Sequence, residues 1–95
     1  MIDIFKPINI YLEFTDKKHH KYYEISLDKN ILKITYGRIG RKGKVKLISF
    51  QEYENGYKLF QSQFTKKIKK GYKKAIKGLT LPRIKGIHPN QLSMF

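Results

Sequence analysis

The 95-residue sequence contains no cysteine, so it has neither disulfide bonds nor thiolate metal sites and must be held together by packing alone. This cysteine usage fits a reducing compartment, and we expect a cytoplasmic protein. No apolar run is long enough to span a bilayer, and the first residues carry an acid and no long apolar stretch. We therefore expect no membrane partner and no secretory signal. Tryptophan is absent too.

Residues that build catalytic and metal sites are few and scattered. His19, His20 and His88 have no nucleophile or ligand set at a useful spacing, and no two acids are placed for acid-base work or for Mg²⁺. The glycine-rich run at 40–44 lacks the spacing of a phosphate-binding loop. We therefore expect no enzymatic activity, no cofactor, no metal and no small-molecule substrate.

Acidic residues are scarce relative to basic ones. Twenty-one Lys and Arg oppose seven Asp and Glu, which gives a net charge of +14. All seven acids lie at or before Glu54, whereas ten of the basic residues follow it. Such an excess predicts a polyanionic partner, but DNA, RNA and an acidic protein surface all satisfy it.

Apolar and polar residues alternate in four successive segments, as they do in strands with one buried face. Turn chemistry at 28–30 and 40–43 separates the later segments. The sequence predicts an antiparallel meander, with the lysines of the fourth strand on its outward face. The alternating apolar positions are Ile8, Ile10, Leu12 and Phe14, then Tyr23, Ile25 and Leu27, then Leu32 and Ile34, and finally Val45 and Leu47.

The period changes after Phe50 to that of an amphipathic helix. Ser49 and Glu52 form a possible capping box at its start, and Gly71 is expected to end it. Gly56 costs about 1 kcal/mol relative to alanine inside a helix, so local packing must favour it. The predicted apolar stripe consists of Tyr53, Tyr57, Phe60, Phe64 and Ile68.

These elements predict an α+β fold, in which one long helix packs on one face of a four- to five-stranded antiparallel sheet. Beyond Gly78 the periodicity is lost and two prolines occur. We therefore predict a domain at 1–77 and a flexible, extended tail at 78–95.

The run Tyr36-Gly37-Arg38-Ile39-Gly40, followed by the basic turn at 41–44, resembles the signature of the WGR domain. This module occurs in DNA-damage-responsive poly(ADP-ribose) polymerases and in many short bacterial proteins. The resemblance covers residues 8–72, including the lysine-aromatic-tyrosine run at 21–25 and the helix end at 70–72. Tyr36 stands where the family has tryptophan. The resemblance implies DNA binding near strand breaks, with Tyr36 as the stacking residue and Arg38 as a backbone contact, but without a transferase domain.

Basic side chains surround this motif and the predicted helix end, where phosphates could be reached with strong salt dependence. Alternatively, Tyr36 continues the inward face as a core residue, Arg38 pairs with a carboxylate, and the lysines form an ordinary solvated surface. The predicted DNA-binding residues are Tyr36, Gly37, Arg38, Arg41, Lys42, Lys44, Lys46, Lys66, Lys69, Lys70 and Lys73.

The last five residues, Gln91, Leu92, Ser93, Met94 and Phe95, resemble the bacterial sliding-clamp-binding pentapeptide, whose consensus is Gln-Leu-Ser/Asp-Leu-Phe. The resemblance implies that the glutamine binds at the rim of a cleft on the clamp and that the apolar side chains fill the cleft. Methionine replaces leucine there at nearly constant volume. The alternative is that these residues complete the core of their own domain.

Taken together, the sequence predicts a non-catalytic, nucleoid-associated bacterial protein that binds DNA at replication or repair sites and is tethered to the sliding clamp. The competing hypothesis is a protein-interaction adaptor, whose basic face binds an acidic protein, or RNA, in place of DNA.

Overall fold

A computed structural model of the protein describes residues 6–83. The elements are β1 (Ile8–Thr15), β2 (His20–Asp28), β3 (Ile31–Arg38), β4 (Lys44–Ser49), α1 (Tyr53–Lys70) and β5 (Lys73–Lys74). The strands form one antiparallel sheet in the order β4-β3-β2-β1-β5. Helix α1 packs over β2 and β3 on one face. The predicted α+β meander with one helix is confirmed, whereas the peptide at 91–95 lies outside the described residues.

The core lies between α1 and the helix-side face of the sheet. It contains the predicted inward positions of the first three strands, of which Leu12, Ile25, Leu27 and Leu32 are fully buried. Phe60 covers them from the helix. These side chains are buried because strand periodicity turns every second residue toward the helix.

Tyr72 directly follows α1 and covers one end of this core. We call the end of the sheet where β1 and β3 end and β2 begins the upper end. The ring of Tyr72 packs edge-on against Phe14 and Tyr23, with centroid separations of 5.4 and 6.2 Å. Burial raises the pKa of Tyr23 to about 12, with a smaller contribution from Tyr72. The contacts of Tyr72 with Phe14 of β1 and Tyr23 of β2 thus hold the carboxyl end of α1 over these two strands.

The helix begins later than predicted. Ser49 is paired with Ile31 in the sheet, so the predicted capping box is wrong; the N-cap is Glu52, which makes no side-chain capping hydrogen bond. The predicted end at Gly71 is confirmed, since its N–H donates to the carbonyl oxygens of Lys67 and Ile68.

The predicted helical stripe is only partly buried. Phe60 is buried, and Tyr53 and Phe64 pack against the core, but Tyr57 and Ile68 are 37% and 39% exposed. Both lie on one flank of the helix, about 60° to 80° around the axis from Phe60. The predicted stripe is therefore displaced toward one flank of the helix, because the buried side of α1 is centred on Gly56 and Phe60.

Gly56 lies where α1 comes closest to the sheet. A Cβ atom there would be 3.0 Å from Cδ1 of Leu27 and 3.2 Å from Cδ2 of Phe50. Both contacts are tighter than ordinary van der Waals packing. Close approach of helix and sheet therefore offsets the unfavourable helix propensity of glycine.

The face of the sheet away from α1, called here the second face, carries Tyr11, Glu13 and Glu24 and is crossed by residues 75–83, which we call the strap. The N–H of Ala75 donates to the carbonyl of Tyr11 at 3.2 Å. Two strap side chains then contact carboxylates of the second face, as Lys77 Nζ lies 3.1 Å from Glu24 Oε1 and Thr80 Oγ1 donates to Glu13 Oε1 at 2.5 Å.

The strap ends at the upper end of the sheet. His20 Nε2 lies 2.7 Å from the carbonyl oxygen of Leu81, and Pro82 packs against Gly40. Tertiary contacts therefore continue past the predicted domain boundary at residue 78 and through Arg83. The strap has no regular periodicity and is held by single hydrogen bonds from scattered partners, which a search for periodic patterns does not detect.

Candidate nucleic-acid interface

The motif tyrosine is on the helix-side face of the sheet, close to its open edge. In β3, Tyr36 lies opposite Tyr23 of β2 and opposite Lys44 of β4. Tyr23 is covered by the helix end, whereas Tyr36, one strand further out, is 42% exposed. Tyr36 is thus not an enclosed core residue, and part of its ring is open to a partner.

The register of β4 corrects the predicted orientation of its lysines. Lys44 and Lys46 lie opposite Tyr36 and Ile34, so they share the helix-side face and not the outward one. Val45 and Leu47 lie on the second face, 55% and 65% exposed. Lysines and apolar residues alternate in β4 as predicted, but the prediction that the lysines face outward is wrong. Lys44 and Lys46 are nevertheless exposed, because they lie on the edge strand whereas α1 packs mainly over β2 and β3.

A lysine of the helix end lies over Tyr23, the cross-strand neighbour of Tyr36. Lys67 Nζ lies 4.7 Å from the ring centroid of Tyr23 and 5.5 Å from that of Tyr72, within reach of cation–π attraction. Its pKa is lowered by burial first, and then by repulsion from Lys70, Lys21 and Lys66. Three other ammonium groups are therefore close enough to repel that of Lys67.

Two of these cations, Lys21 and Lys67, are absent from the predicted set. Lys67 follows Phe60 by seven residues and so returns to the inward side of α1, while Lys21 lies opposite Arg38 across the β2–β3 ladder. Helical spacing could have identified Lys67. Identifying Lys21 required the strand register.

Helical geometry places Lys66 and Lys70 on the flank of α1 that carries Gln63, whose side chain accepts a long hydrogen bond (3.5 Å) from Tyr23 Oη. Phe64, on the opposite flank, lies under Lys74 of β5. The lysine flank therefore faces β3 and β4. We call the resulting concave surface the helix-side groove; it comprises Tyr36, Lys44 and Lys46 of the sheet and Lys66, Lys67 and Lys70 of the helix.

Not every predicted residue joins this groove. Lys69 is about half a turn around α1 from Phe60 and points to solvent. Lys73 lies opposite Glu13 in the β1–β5 ladder, so it belongs to the second face. Arg41 and Lys42 lie in the β3–β4 turn, at the upper end of the sheet.

No acidic side chain among residues 6–83 forms an ion pair with a groove lysine. Asp28 ends β2, and Glu52 and Glu54 lie at the start of α1, whereas the groove lysines of α1 lie near its end. Glu13 and Glu24 lie on the second face, where they bind strap residues. Asp16, in the β1–β2 loop, accepts hydrogen bonds from the backbone N–H groups of Lys18 and His19 and contacts Nδ1 of His19 at 2.9 Å. These contacts hold the pKa of Asp16 below its usual range, mainly through His19. The groove lysines therefore keep their charge uncompensated.

The motif arginine is at the end of β3, opposite Lys21. Its guanidinium makes no hydrogen bond or ion pair with any described residue, so it is not held by a carboxylate. It lines a cleft of about 460 Å³ at the upper end of the sheet. Gly43 allows the turn beside it to close, since a Cβ at that position would collide with the carbonyl of Tyr36 and the hydroxyl of Tyr22.

Most of the chain matches a known protein family. The family model of the WGR domain matches residues 8–78. The chain belongs to the WGR domain family. WGR domains are generally nucleic-acid-binding modules. In this WGR domain, the motif tyrosine and arginine lie at one end of β3, beside the cations of the groove.

The WGR fold also occurs within a larger protein of known structure. A crystal structure of a protein from Bacteroides fragilis is similar with a TM-score of 0.70 and 23% sequence identity, over 73% of this chain. At this identity the similarity concerns the fold alone. The WGR chain spans about a fifth of the length of that protein, since 20% of it is covered. No curated protein matches the chain closely enough to count as a relative.

Among residues 6–83, no group of three or more histidine or acidic side chains is placed to hold a metal ion. No helix in the same range is long and apolar enough to cross a membrane.

Proposed function

We propose that this WGR domain binds DNA through the helix-side groove, with Tyr36 packing on a sugar or base and the lysines contacting phosphates. The observation that carries the proposal is the 42% exposure of Tyr36 on the helix-side face, where it lies between Lys44 of β4 and Tyr23 of β2, over which Lys67 of α1 lies. An aromatic face stacks on any base, and exposed ammonium groups such as those of Lys44 and Lys46 can contact the phosphate backbone.

Cation crowding supports a polyanionic ligand. Bringing a phosphate near Lys67 replaces repulsion from neighbouring lysines with attraction, so binding raises the pKa that crowding and burial have lowered. Five groove lysines and Lys21 offer six phosphate contacts. If all six form on duplex DNA, they contribute about −5 to the slope of log K against log salt concentration.

The direct test is a fluorescence-anisotropy titration against duplex, nicked and single-stranded DNA and against RNA, each over a salt series. Tyr36→Ala should weaken DNA binding by about 1–3 kcal/mol, or roughly 5- to 150-fold, because one stacking contact is lost. Arg38→Ala should weaken it by a comparable amount. Tyr57→Ala is the matched control, since Tyr57 is similarly exposed but lies on the other flank of α1.

Three outcomes separate the hypotheses. Salt-dependent DNA binding that Tyr36→Ala weakens and Tyr57→Ala does not supports the groove. Absent or salt-insensitive DNA binding refutes it and favours an adaptor for an acidic protein. Stronger binding to RNA than to every DNA form assigns the groove to RNA.

We also propose that the peptide at 91–95 tethers the protein to the bacterial sliding clamp. Its match to the clamp-binding consensus supports this, and two weak attachments on one chain raise the local concentration of each ligand for the other. Leu92→Ala combined with Phe95→Ala should abolish association with purified clamp, whereas Ser93→Asp should retain it because the consensus accepts either residue. Undiminished clamp binding by the double variant would refute the tether.

We propose a non-catalytic cellular role at replication or repair sites, in association with the nucleoid. Such a role would use both the DNA contact of the groove and the clamp contact of the peptide. A clamp loaded on DNA would recruit the protein there, or the protein would modulate the access of other clamp clients. Colocalisation of the tagged full chain with replication foci, lost in the Leu92→Ala, Phe95→Ala variant, tests this role.

A further inference from the structure

A second cationic site lies at the upper end of the sheet, outside the helix-side groove. Three segments converge there: the β1–β2 loop, the end of β3 with its turn, and the end of the strap. We call this site the strand-end cleft; it has a volume of about 460 Å³. Its lining residues are Lys18, His19, His20, Lys21, Arg38, Ile39, Arg41 and Arg83.

The strap holds Arg83 in this cleft from beyond the segment that matches the WGR family model, which ends at residue 78. Arg83 donates from Nη2 to the carbonyl oxygen of Asp16 at 2.8 Å and from Nη1 to that of Lys17 at 3.4 Å. Both acceptors are neutral, so they orient the guanidinium without neutralising it. The preceding contacts of His20 with Leu81 fix the backbone that leads to it.

The lysines and arginines of the cleft form no ion pair with any residue in 6–83. Asp16, in the β1–β2 loop, directs its carboxylate toward His19 and two backbone N–H groups and not toward these cations. Arg38 and Arg41 have no side-chain partner among residues 6–83. Five lysines and arginines thus face a solvent-filled space, where a ligand must supply the negative charge.

We propose that the strand-end cleft is a separate phosphate-binding site of this protein, in which Arg41 and Arg83 are the principal ligands. Guanidinium groups bind phosphate oxygens in a bidentate manner, and three arginines around one cleft present several such donors. The phosphate can belong to a DNA backbone or to a free anion. In the first case the inference rests on the proposed function and adds a contact beyond the groove.

The site is tested first with inorganic pyrophosphate as the probe, in an amide NMR titration of the full chain. Resonances of residues 18–20, 39–41 and 83 should shift, while those of Lys44, Lys46 and Lys66 should shift less. Arg41→Gln should reduce the affinity about tenfold through loss of a charge-assisted contact. Equal shifts in groove and cleft, or an unchanged affinity in Arg41→Gln, would overturn the proposal.

The DNA arm compares the double variant Arg41→Gln, Arg83→Gln with the control Lys33→Gln, Lys58→Gln, which removes the same charge from exposed positions elsewhere. The cleft variant should reduce the steepness of the salt dependence by about one phosphate contact relative to the control. Replacing Arg83 removes its hydrogen bonds to the β1–β2 loop and could loosen the strap. The single variant Arg41→Gln is therefore measured as well, since the Arg41 side chain makes no hydrogen bond or ion pair among residues 6–83.

The two proposals fail separately. Pyrophosphate binding in the cleft without DNA binding by the wild type would remove the DNA function and assign the cleft to free phosphate compounds. Salt-dependent DNA binding that is identical in the cleft and control variants, without selective pyrophosphate shifts, would remove the cleft and leave the groove.

Discussion

Replacing Tyr36 with tryptophan tests the groove with a gain of function. The position is 42% exposed, beside the solvated edge strand, so the larger indole fits without repacking the core and the free energy of unfolding should change by less than about 0.5 kcal/mol. Indole adds on the order of 40 Å² of flat apolar surface relative to phenol. At about 25 cal/mol per Å² this contributes about 1 kcal/mol when fully covered by DNA.

That free energy corresponds to about fivefold tighter DNA binding. The chain contains no tryptophan, so Tyr36→Trp also introduces a single intrinsic fluorophore. Its emission should change on addition of duplex or nicked DNA, because the ring passes from water to a contact with a sugar or base. Affinity is measured by anisotropy of labelled DNA at fixed salt and checked against the tryptophan signal.

Tyr57→Trp is the matched control, because Tyr57 is 37% exposed and lies away from the lysine flank of α1. Its emission should be insensitive to DNA, and its affinity should equal that of the wild type. A folded Tyr36→Trp protein that binds DNA more weakly than wild type, or whose emission responds no more than that of Tyr57→Trp, would contradict the stacking role of Tyr36.

Other predictions concern the fold that presents the groove. Leu27→Ala removes a fully buried side chain beneath Gly56 and should lower the free energy of unfolding by about 3 kcal/mol, measured by urea denaturation; a loss below 1 kcal/mol would show that this site collapses freely. Asp16→Asn should destabilise the protein near neutral pH. Because the folded-state pKa of Asp16 is depressed, its stabilisation is present above the unfolded-state pKa and is lost as pH falls through the folded-state value. The difference between wild type and Asp16→Asn should therefore shrink below about pH 4 in thermal melts, and a constant difference would contradict the contact with His19.

Several features of the fold could be predicted because local chemistry decides them. The alternation through Leu12, Ile25 and Leu32 identifies the buried face of three strands, since side chains in a strand point to opposite faces with a period of two. The helix end at Gly71 follows from the ability of glycine to adopt its positive φ of 124°. The need for glycine at 56 could be recognised as a packing demand, though its partners could not be named.

Other features depend on which elements become neighbours. Periodicity shows that lysines and apolar residues alternate in β4, but only the pairing of Lys44 with Tyr36, and the packing of α1 mainly over β2 and β3, decide that the lysines share the helix-side face and stay exposed. The strap gives no local signal, because its contacts with Glu13 and Glu24 join residues more than fifty positions apart.

The amino-acid sequence by itself determined the elements, the buried face of the central strands, the cationic excess and the motif of the family. Tertiary structure decided how the charge is arranged: Glu13 and Glu24 are held on the second face and Asp16 in the β1–β2 loop, and lysines from β2, β4 and α1 are brought to the helix-side face. The physical reason is that secondary structure follows from interactions between residues close in the chain, whereas the electrostatic field at Tyr36 is set by charges that only strand register and helix placement bring within range.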